Sequence, residues 1–342
     1  MKNKKIFWIY MLFILFLLGM FFKGLGKRKQ FYTDEGKIFG TYYHITYQHT
    51  SPLTKEIGEE LQRFDKSLST FNPESTISRV NANDTSVEID AWFKKVFEKS
   101  IEVSNATKGA FDITVAPLVN AWGFGFKKRE QVTKKLIDSL MPLVGYKKVV
   151  LCNGKVIKDN PNIMLDCSAI AKGYACDVIG EMLEKKGVKN FMVEIGGEVF
   201  CKGSKANGEM WNIGISNPIE MGQEGGNVED IQNVISLSNK GLATSGNYRN
   251  FYYEGGKRYA HTIDPHTGFP VQHTLLSATV IAPECIIADA YATAFMVLGE
   301  ERSMKIVQSN PDLEAYFISA SVEGDTFLIS YSAGIEGMLR RK

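Results

Sequence analysis

Twelve consecutive residues, Tyr259-Ala260-His261-Thr262-Ile263-Asp264-Pro265-His266-Thr267-Gly268-Phe269-Pro270, hold the side chains best suited to chemistry. Asp264-Pro265-x-Thr267-Gly268 reads as a tight turn, because proline fixes φ and glycine can take a positive φ. His261 stands three residues before the acid, at the end of a run with strand character (Phe251-Tyr252-Tyr253, a Gly-Gly turn, Arg258-Tyr259). A histidine held at a strand end by a rigid turn suits acid–base chemistry at neutral pH. The same residues taken alone also fit an ordinary polar hairpin loop.

A second group is Ala288-Asp289-Ala290-Tyr291-Ala292-Thr293-Ala294-Phe295. A carboxylate inside an apolar helix is costly unless a cation, a donor or a raised pKa accommodates it. Thr293 lies one turn after Asp289, so their oxygens can converge. Hard oxygen ligands of this kind suit Mg²⁺, with water, carbonyl or phosphate filling the other positions. A third cluster is Asp166-Cys167-Ser168-Ala169-Ile170-Ala171-Lys172-Gly173-Tyr174-Ala175-x-Asp177, although a lysine on a helix is ordinarily a solvated charge. Two more clusters run from Phe64 through Phe71 to Asn81 and from Gly109-Ala110-Phe111-Asp112 to Gly125. The chain has no G-x-x-x-x-G-K-[ST], no strand-to-helix G-x-G-x-x-G, no H-E-x-x-H and no G-x-S-x-G. Any nucleotide must be held by another scheme.

The elements that position these groups follow from periodicity. Ile38 to Tyr47 has the β-branched and aromatic content of a strand, and a helical stretch should precede Phe64. Trp92, Phe93, Val96, Phe97, Ile101 and Val103 predict an amphipathic helix over 91–106, ended by Lys108-Gly109. A further helix is expected from near Ala169 to Lys186, with Gly187 as C-cap. The strand Phe191–Ile195 then enters Gly196-Gly197, where backbone can approach a ligand closely. Glu220 to Asp230 reads as a surface excursion, and Ala288 to Leu298 as a buried helix. Helices mixed with hairpin-like segments indicate an α+β fold rather than a regular βαβ succession.

The 342 residues carry a formal net charge of only +2, so no basic field points to nucleic acid. Lys2, Lys4 and Lys5 precede an unbroken apolar run from Ile6 to Phe22. Seventeen such residues span about 25 Å of helix, the short end of what crosses a bilayer. We read residues 1–23 as an uncleaved signal anchor, with a cleaved signal peptide as the competing reading, and 24–36 as a linker. Basic residues flank the run on both sides, so charge alone leaves its orientation open. The five cysteines form no C-x-x-C pair and no metal-ligand spacing.

Together and in this order, the clusters resemble the FAD:protein FMN transferase family, often called ApbE, over roughly residues 37 to 335. The resemblance implies one transferase domain over 37–340, with mixed or antiparallel sheets flanked by helices in a tunnelling-fold-like architecture. It implies cleavage of the FAD pyrophosphate, transfer of FMN to a threonine of a partner protein as a phosphoester, and release of AMP. It further implies Mg²⁺ held by Asp289, Thr293 and the carbonyl of Ala169, with His261 taking the proton of the attacking hydroxyl. Phe39, Phe71, Ala110, Phe111, Asp112, Asp166, Lys172 and Ile263 would then line the FAD cleft. The implied partners are exported FMN acceptors, such as subunits of NADH:quinone reductases, Rnf-type complexes or other FMN-binding domains. The implied location is the bacterial inner membrane, with the catalytic domain on the periplasmic side. An FAD pyrophosphatase on the same scaffold, or a non-catalytic FAD binder, is the alternative. One departure from the family pattern is Glu194-Ile195-Gly196-Gly197-Glu198, whose two acids either weaken dinucleotide binding or face solvent. The Asp-Gly-x-[Ser/Thr]-x-[Ser/Thr]-Thr pattern of acceptors is absent, so modification in trans is expected.

Overall fold

Period-two alternation along Phe191-Met192-Val193-Glu194-Ile195 buries Phe191, Val193 and Ile195 on one face. The same alternation builds the large sheet that carries the site. The computed structural model describes residue 11 and residues 28–126, 131–218, 231–247, 251–254, 257–321 and 326–340. Apart from Met11, the apolar run Ile6 to Phe22 lies outside the described residues, as does the stretch Glu220 to Asp230. Among the described residues no helix is long and apolar enough to cross a membrane.

The chain opens with β1 (Gln30–Ile38) and β2 (Thr41–His49), followed by α1 (Thr54–Leu68), α2 (Thr76–Asn81), α3 (Ala91–Ala106), α4 (Ala116–Trp122) and α5 (Lys134–Leu140). Next come β3 (Val149–Cys152), β4 (Lys155–Lys158), α6 (Ser168–Lys185), β5 (Phe191–Ile195), β6 (Glu198–Lys202), β7 (Trp211–Ser216), β8 (Ile231–Leu237) and β9 (Lys240–Gly246). The last part holds β10 (Phe251–Glu254), β11 (Lys257–Ala260), β12 (Leu275–Ala282), α7 (Cys285–Leu298), α8 (Glu300–Ser309), β13 (Glu314–Ala320), β14 (Phe327–Tyr331) and α9 (Ala333–Glu336). Eight strands form one sheet in the order β1-β2-β5-β6-β9-β12-β13-β14, and neighbouring strands are antiparallel throughout. This is the expected α+β class, with an antiparallel sheet.

One face of the sheet packs on α6 and α7 through Val193, Ile195, Ala243, Val280, Ile170, Val178, Ile286 and Phe295. The opposite face, with Val199, Cys201, Leu242, Ile281 and Tyr316, is covered by Trp211, Ile213 and Ile235 of the β7–β8 ribbon. A small separate core of Leu118, Trp122, Ile137, Val144 and Ile263 lies under the histidine loop.

Local chemistry explains most boundaries. Asp90 caps α3 by accepting the N–H groups of Trp92 and Phe93, each at 2.9 Å, so the helix takes the predicted bounds 91–106. Gly187, at φ 79°, donates to the carbonyl of Glu184 at 2.8 Å and ends α6 as expected. Helix α7 begins at Cys285, three residues earlier than its apolar pattern suggests. Asp177 of α6 accepts the N–H groups of Cys285 and Ile286, each at 2.8 Å, and so caps α7 from a neighbouring helix.

Three expectations are corrected. The strand predicted over Ile38 to Tyr47 is two strands, turned at Phe39 (φ 52°) and Gly40 (φ 74°). Strand β1 reaches back to Gln30, into the linker drawn at 24–36. Pairing with β2, the edge contact of Phe31 on Trp211 at 6.2 Å and the stacking of Tyr32 on Tyr47 at 5.9 Å outweigh its polar composition. Helix α1 runs through Phe64 to Leu68 rather than ending before it, because Phe64 and Leu68 continue its buried stripe.

Candidate active site

Helices α6 and α7 lie close enough for a side chain of one to reach the backbone of the other. The Gly173 N–H donates to Asp289 Oδ2 at 2.9 Å, and Asp289 is 3% exposed. Burial pushes the Asp289 carboxyl above its ordinary range, while Lys172 and the Gly173 bond pull it back. One residue away, Lys172 Nζ donates to Glu198 Oε1 at 2.6 Å. Burial works against the Lys172 ammonium, but Glu198 and Asp289 outweigh it and hold the lysine protonated. Burial likewise pushes Glu198 up, and the Lys172 ammonium pulls it back. Two carboxylates thus face one ammonium. One turn along α7, Thr293 Oγ1 is 3.2 Å from Ser245 Oγ at the end of β9.

The second wall is built from loops. Asp112 accepts Thr114 N–H at 2.8 Å, Thr114 Oγ1 at 2.6 Å and Tyr146 N–H at 2.7 Å. Burial pushes its carboxyl up and these bonds hold it down, so Asp112 fixes the loop after Phe111. Asp166 accepts Ser168 N–H at 2.8 Å, and burial pushes its carboxyl up as well. The histidine loop is the predicted tight turn. Gly268 N–H donates to Asp264 O at 2.8 Å, Asp264 N–H donates to Phe269 O at 2.9 Å, and Gly268 sits at φ 75°. Trp122 Nε1 donates to Gly268 O at 2.8 Å, and Tyr259 stacks on the same indole at 5.3 Å. His261 follows the last residue of β11 and meets the Phe124 ring edge-on at 6.3 Å. Next to it, Thr262 Oγ1 donates to Asn247 Oδ1 at 2.6 Å.

Between these walls is a cavity of about 1000 Å³. It is lined by Ala110, Phe111, Asp112, Asp166, Ala169, Lys172, His261, Ile263, Asp289 and Thr293, ten residues that sequence spacing alone scatters over more than half the chain. Phe39 and Phe71 do not line it. The Phe39 ring packs on Phe64 at 5.5 Å, half-buried against the core, while Phe71 lies beyond the end of α1 and is 74% exposed. Glu194 and Glu198 do line it. Glu198 faces inward with Phe200, opposite Val199 and Cys201, so the idea that both acids simply face solvent fails for Glu198.

The donor set suits a hard, lightly held cation. Among the described residues no group of three or more His, Cys, Asp or Glu side chains is arranged to hold a metal. Beside the buried carboxylate of Asp289, the cavity offers the hydroxyls of Thr293 and Ser245 and backbone at Ala169. Few protein ligands of this kind fit Mg²⁺, which keeps several waters and shares substrate phosphates.

Sequence reasoning left Glu198 between two readings and missed Ser245, Asn247 and the part played by Trp122. Glu198 carried a usable signal, since period two from the buried Phe191 stripe, through the Gly196-Gly197 turn, returns it to the helix-facing side. The other three act through contacts that no local pattern encodes.

Known proteins resemble this chain over most of its length. The model of the ApbE family matches residues 39–317. An FAD:protein FMN transferase of Haemophilus influenzae is 39% identical over 305 residues, covering 84% of this chain and 86% of that protein. One from Vibrio cholerae is 35% identical over 285 residues, covering 80% and 84%. Among solved structures, the flavin transferase ApbE from Vibrio cholerae superposes with a TM-score of 0.80 at 33% identity, over 91% of this chain and 100% of that one. The apo form of Pseudomonas stutzeri flavinyl transferase ApbE gives 0.79 at 29% identity, over 91% and 97%.

Proposed function

The chain belongs to the ApbE family, and from that premise we propose that it moves the FMN half of FAD onto a threonine of an exported protein. The observation that carries this reading is a single cavity joining His261, Lys172 and the Asp289–Thr293 pair. His261 accepts the proton of the threonine hydroxyl, histidine being the side chain suited to act as a base at neutral pH. The threonine oxygen forms a bond to the FMN phosphorus as the bond to the AMP oxygen breaks, and AMP leaves with that electron pair. Lys172, kept charged by its two carboxylates, offers its ammonium to the phosphate oxygens. Asp289, Thr293 and the carbonyl of Ala169 would hold Mg²⁺, which when bound neutralises charge developing on the pyrophosphate. Asp112, Asp166, Ala110, Phe111 and Ile263 shape and position the FAD cleft. Phe39 and Phe71 stay in the proposal only as residues that a moving β1–β2 turn or α1 end would bring to bound FAD.

The apolar run at Ile6 to Phe22 supports a membrane anchor, and the catalytic domain is placed on the extracytoplasmic side because the proposed acceptors are exported proteins. Acceptors would be FMN-binding domains or subunits of NADH:quinone reductases or Rnf-type complexes.

The test mixes the full chain in detergent with FAD, Mg²⁺ and a purified acceptor domain, then weighs the acceptor intact. A gain of one FMN, lost on chelation, is the expected result. Free FMN and AMP beside unmodified acceptors would support the FAD pyrophosphatase instead, and intact FAD would leave only a binder.

A further inference from the structure

Among the described residues, one oxygen of Glu198 has no hydrogen-bond partner. Oε1 takes the Lys172 ammonium, but Oε2 is buried and meets no hydrogen-bond donor. The side chain is 4% exposed and lines the cavity. A buried polar atom left without a partner carries a free-energy cost, larger when the group is charged. A ligand that donates to Oε2 relieves that cost.

Which part of a ligand reaches it follows from the order of groups along α7. The Asp289 end of the candidate cation cradle is joined to Gly173, Lys172 and Glu198. The Thr293 end is joined to Ser245, and two residues on, Asn247 is bonded to Thr262, the neighbour of His261. His261 and Glu198 therefore belong to opposite ends of the cradle. In an in-line displacement the nucleophile and the leaving group stand on opposite sides of phosphorus. If the hydroxyl is deprotonated at His261, the departing AMP lies toward Glu198.

We propose that Glu198 Oε2 accepts a hydrogen bond from the adenosine half of the dinucleotide, which makes Glu198 a binding residue for the leaving nucleotide. The inference rests on the transferase reading above. The donors available on adenosine are the ribose hydroxyls and the exocyclic amine, and each can be removed separately.

The experiment measures binding of FAD, AMP, 2′-deoxy-AMP, 3′-deoxy-AMP and inosine 5′-monophosphate by calorimetry. It uses the full chain in detergent with Mg²⁺, as wild type and as Glu198→Gln. In the variant Lys172 takes the amide oxygen, so the amide nitrogen faces the cavity and cannot accept. Expected for wild type is a loss of about tenfold or more for the one analogue lacking the donor, as for a hydrogen bond to a charged group. A loss with a deoxy analogue identifies the ribose, and a loss with the inosine nucleotide identifies the amine. The variant should bind AMP more weakly by a similar factor and bind that one analogue no worse than wild type does. A merely structural role, acting through Lys172, would weaken every analogue alike and would overturn the proposal. So would a wild type that binds FAD but treats all four mononucleotides equally, a comparison that needs no variant to fold. A wild type that binds no FAD overturns the transferase reading, and this inference with it.

Discussion

The Gly173 N–H donates to Asp289 Oδ2 at 2.9 Å, so backbone of α6 fixes the carboxylate that α7 presents to the cavity. The approach requires glycine. A Cβ on Gly173 would lie 2.7 Å from Asp289 Cβ and would collide with the carbonyl oxygen of Cys285. Gly173→Ala would ordinarily gain helix propensity, but here overpacking should cost about 1–3 kcal/mol. A lower thermal midpoint together with weaker Mg²⁺ binding is expected. An unchanged midpoint would show that the two helices can separate freely.

Asp289→Asn tests the cation site without a change of shape. Removing a buried carboxylate should leave the metal-free protein at least as stable as wild type. Mg²⁺ should raise the wild-type melting temperature, as any ligand of the native state does, and should not raise that of the variant. Turnover should fall about a hundredfold or more. A melting temperature that still responds to Mg²⁺ would place the cation elsewhere.

Lys172→Met leaves Glu198 and Asp289 facing each other without a cation. Breaking the pair from one side should cost about 1–3 kcal/mol, less than for a fully buried pair because Lys172 is partly exposed. The double variant Lys172→Met with Glu198→Gln should recover most of that loss, because it removes the stranded charge as well. Chemical denaturation of the four proteins in the cycle reads the coupling. Additive losses would mean that the two side chains do not interact in solution.

Trp122→Phe removes the donor to Gly268 O while keeping an aromatic ring beside Tyr259. A buried carbonyl left unpaired costs about 1–3 kcal/mol, enough to loosen the turn that follows His261. We expect kcat to fall while KM for FAD stays near its wild-type value. The opposite split would show that the indole serves FAD binding rather than placement of the histidine.

His273 provides the pH dependence. Its Nε2 lies 2.8 Å from Met296 O, and burial pushes its pKa below the ordinary 6.5 despite that bond. Below about pH 6.5 the unfolded chain therefore binds protons that the folded chain resists, and stability falls as pH falls. The slope cannot exceed about 1.4 kcal/mol per pH unit for one group. Between about pH 7.5 and pH 5, wild type should lose more thermal stability than His273→Gln, which has no such titration. Parallel losses would clear His273 of the effect.

The strength of the local signals decided what could be read in advance. Helix α3, strand β5 and the Asp264–Gly268 turn were legible because caps, alternation and turn residues act within a few positions. The edges of β1 and the start of α7 were not. The first depends on pairing with β2 and the second on two bonds from Asp177, partners that local sequence does not name.

By itself the sequence determined the chemistry available: a histidine on a rigid turn, an acid and a hydroxyl one helical turn apart, and a lysine near both clusters in kind but not in place. It also determined the family, through motifs long enough to be specific. The tertiary structure alone decided which of these groups share one cavity. It packed Phe39 against the core, left Phe71 in solvent and turned Glu198 inward to hold Lys172. The physical reason is that residue type and spacing fix what a side chain can do and which face it occupies. Its partner, its burial and hence its charge depend on elements far away in the chain, brought together only when the sheet and its helices pack.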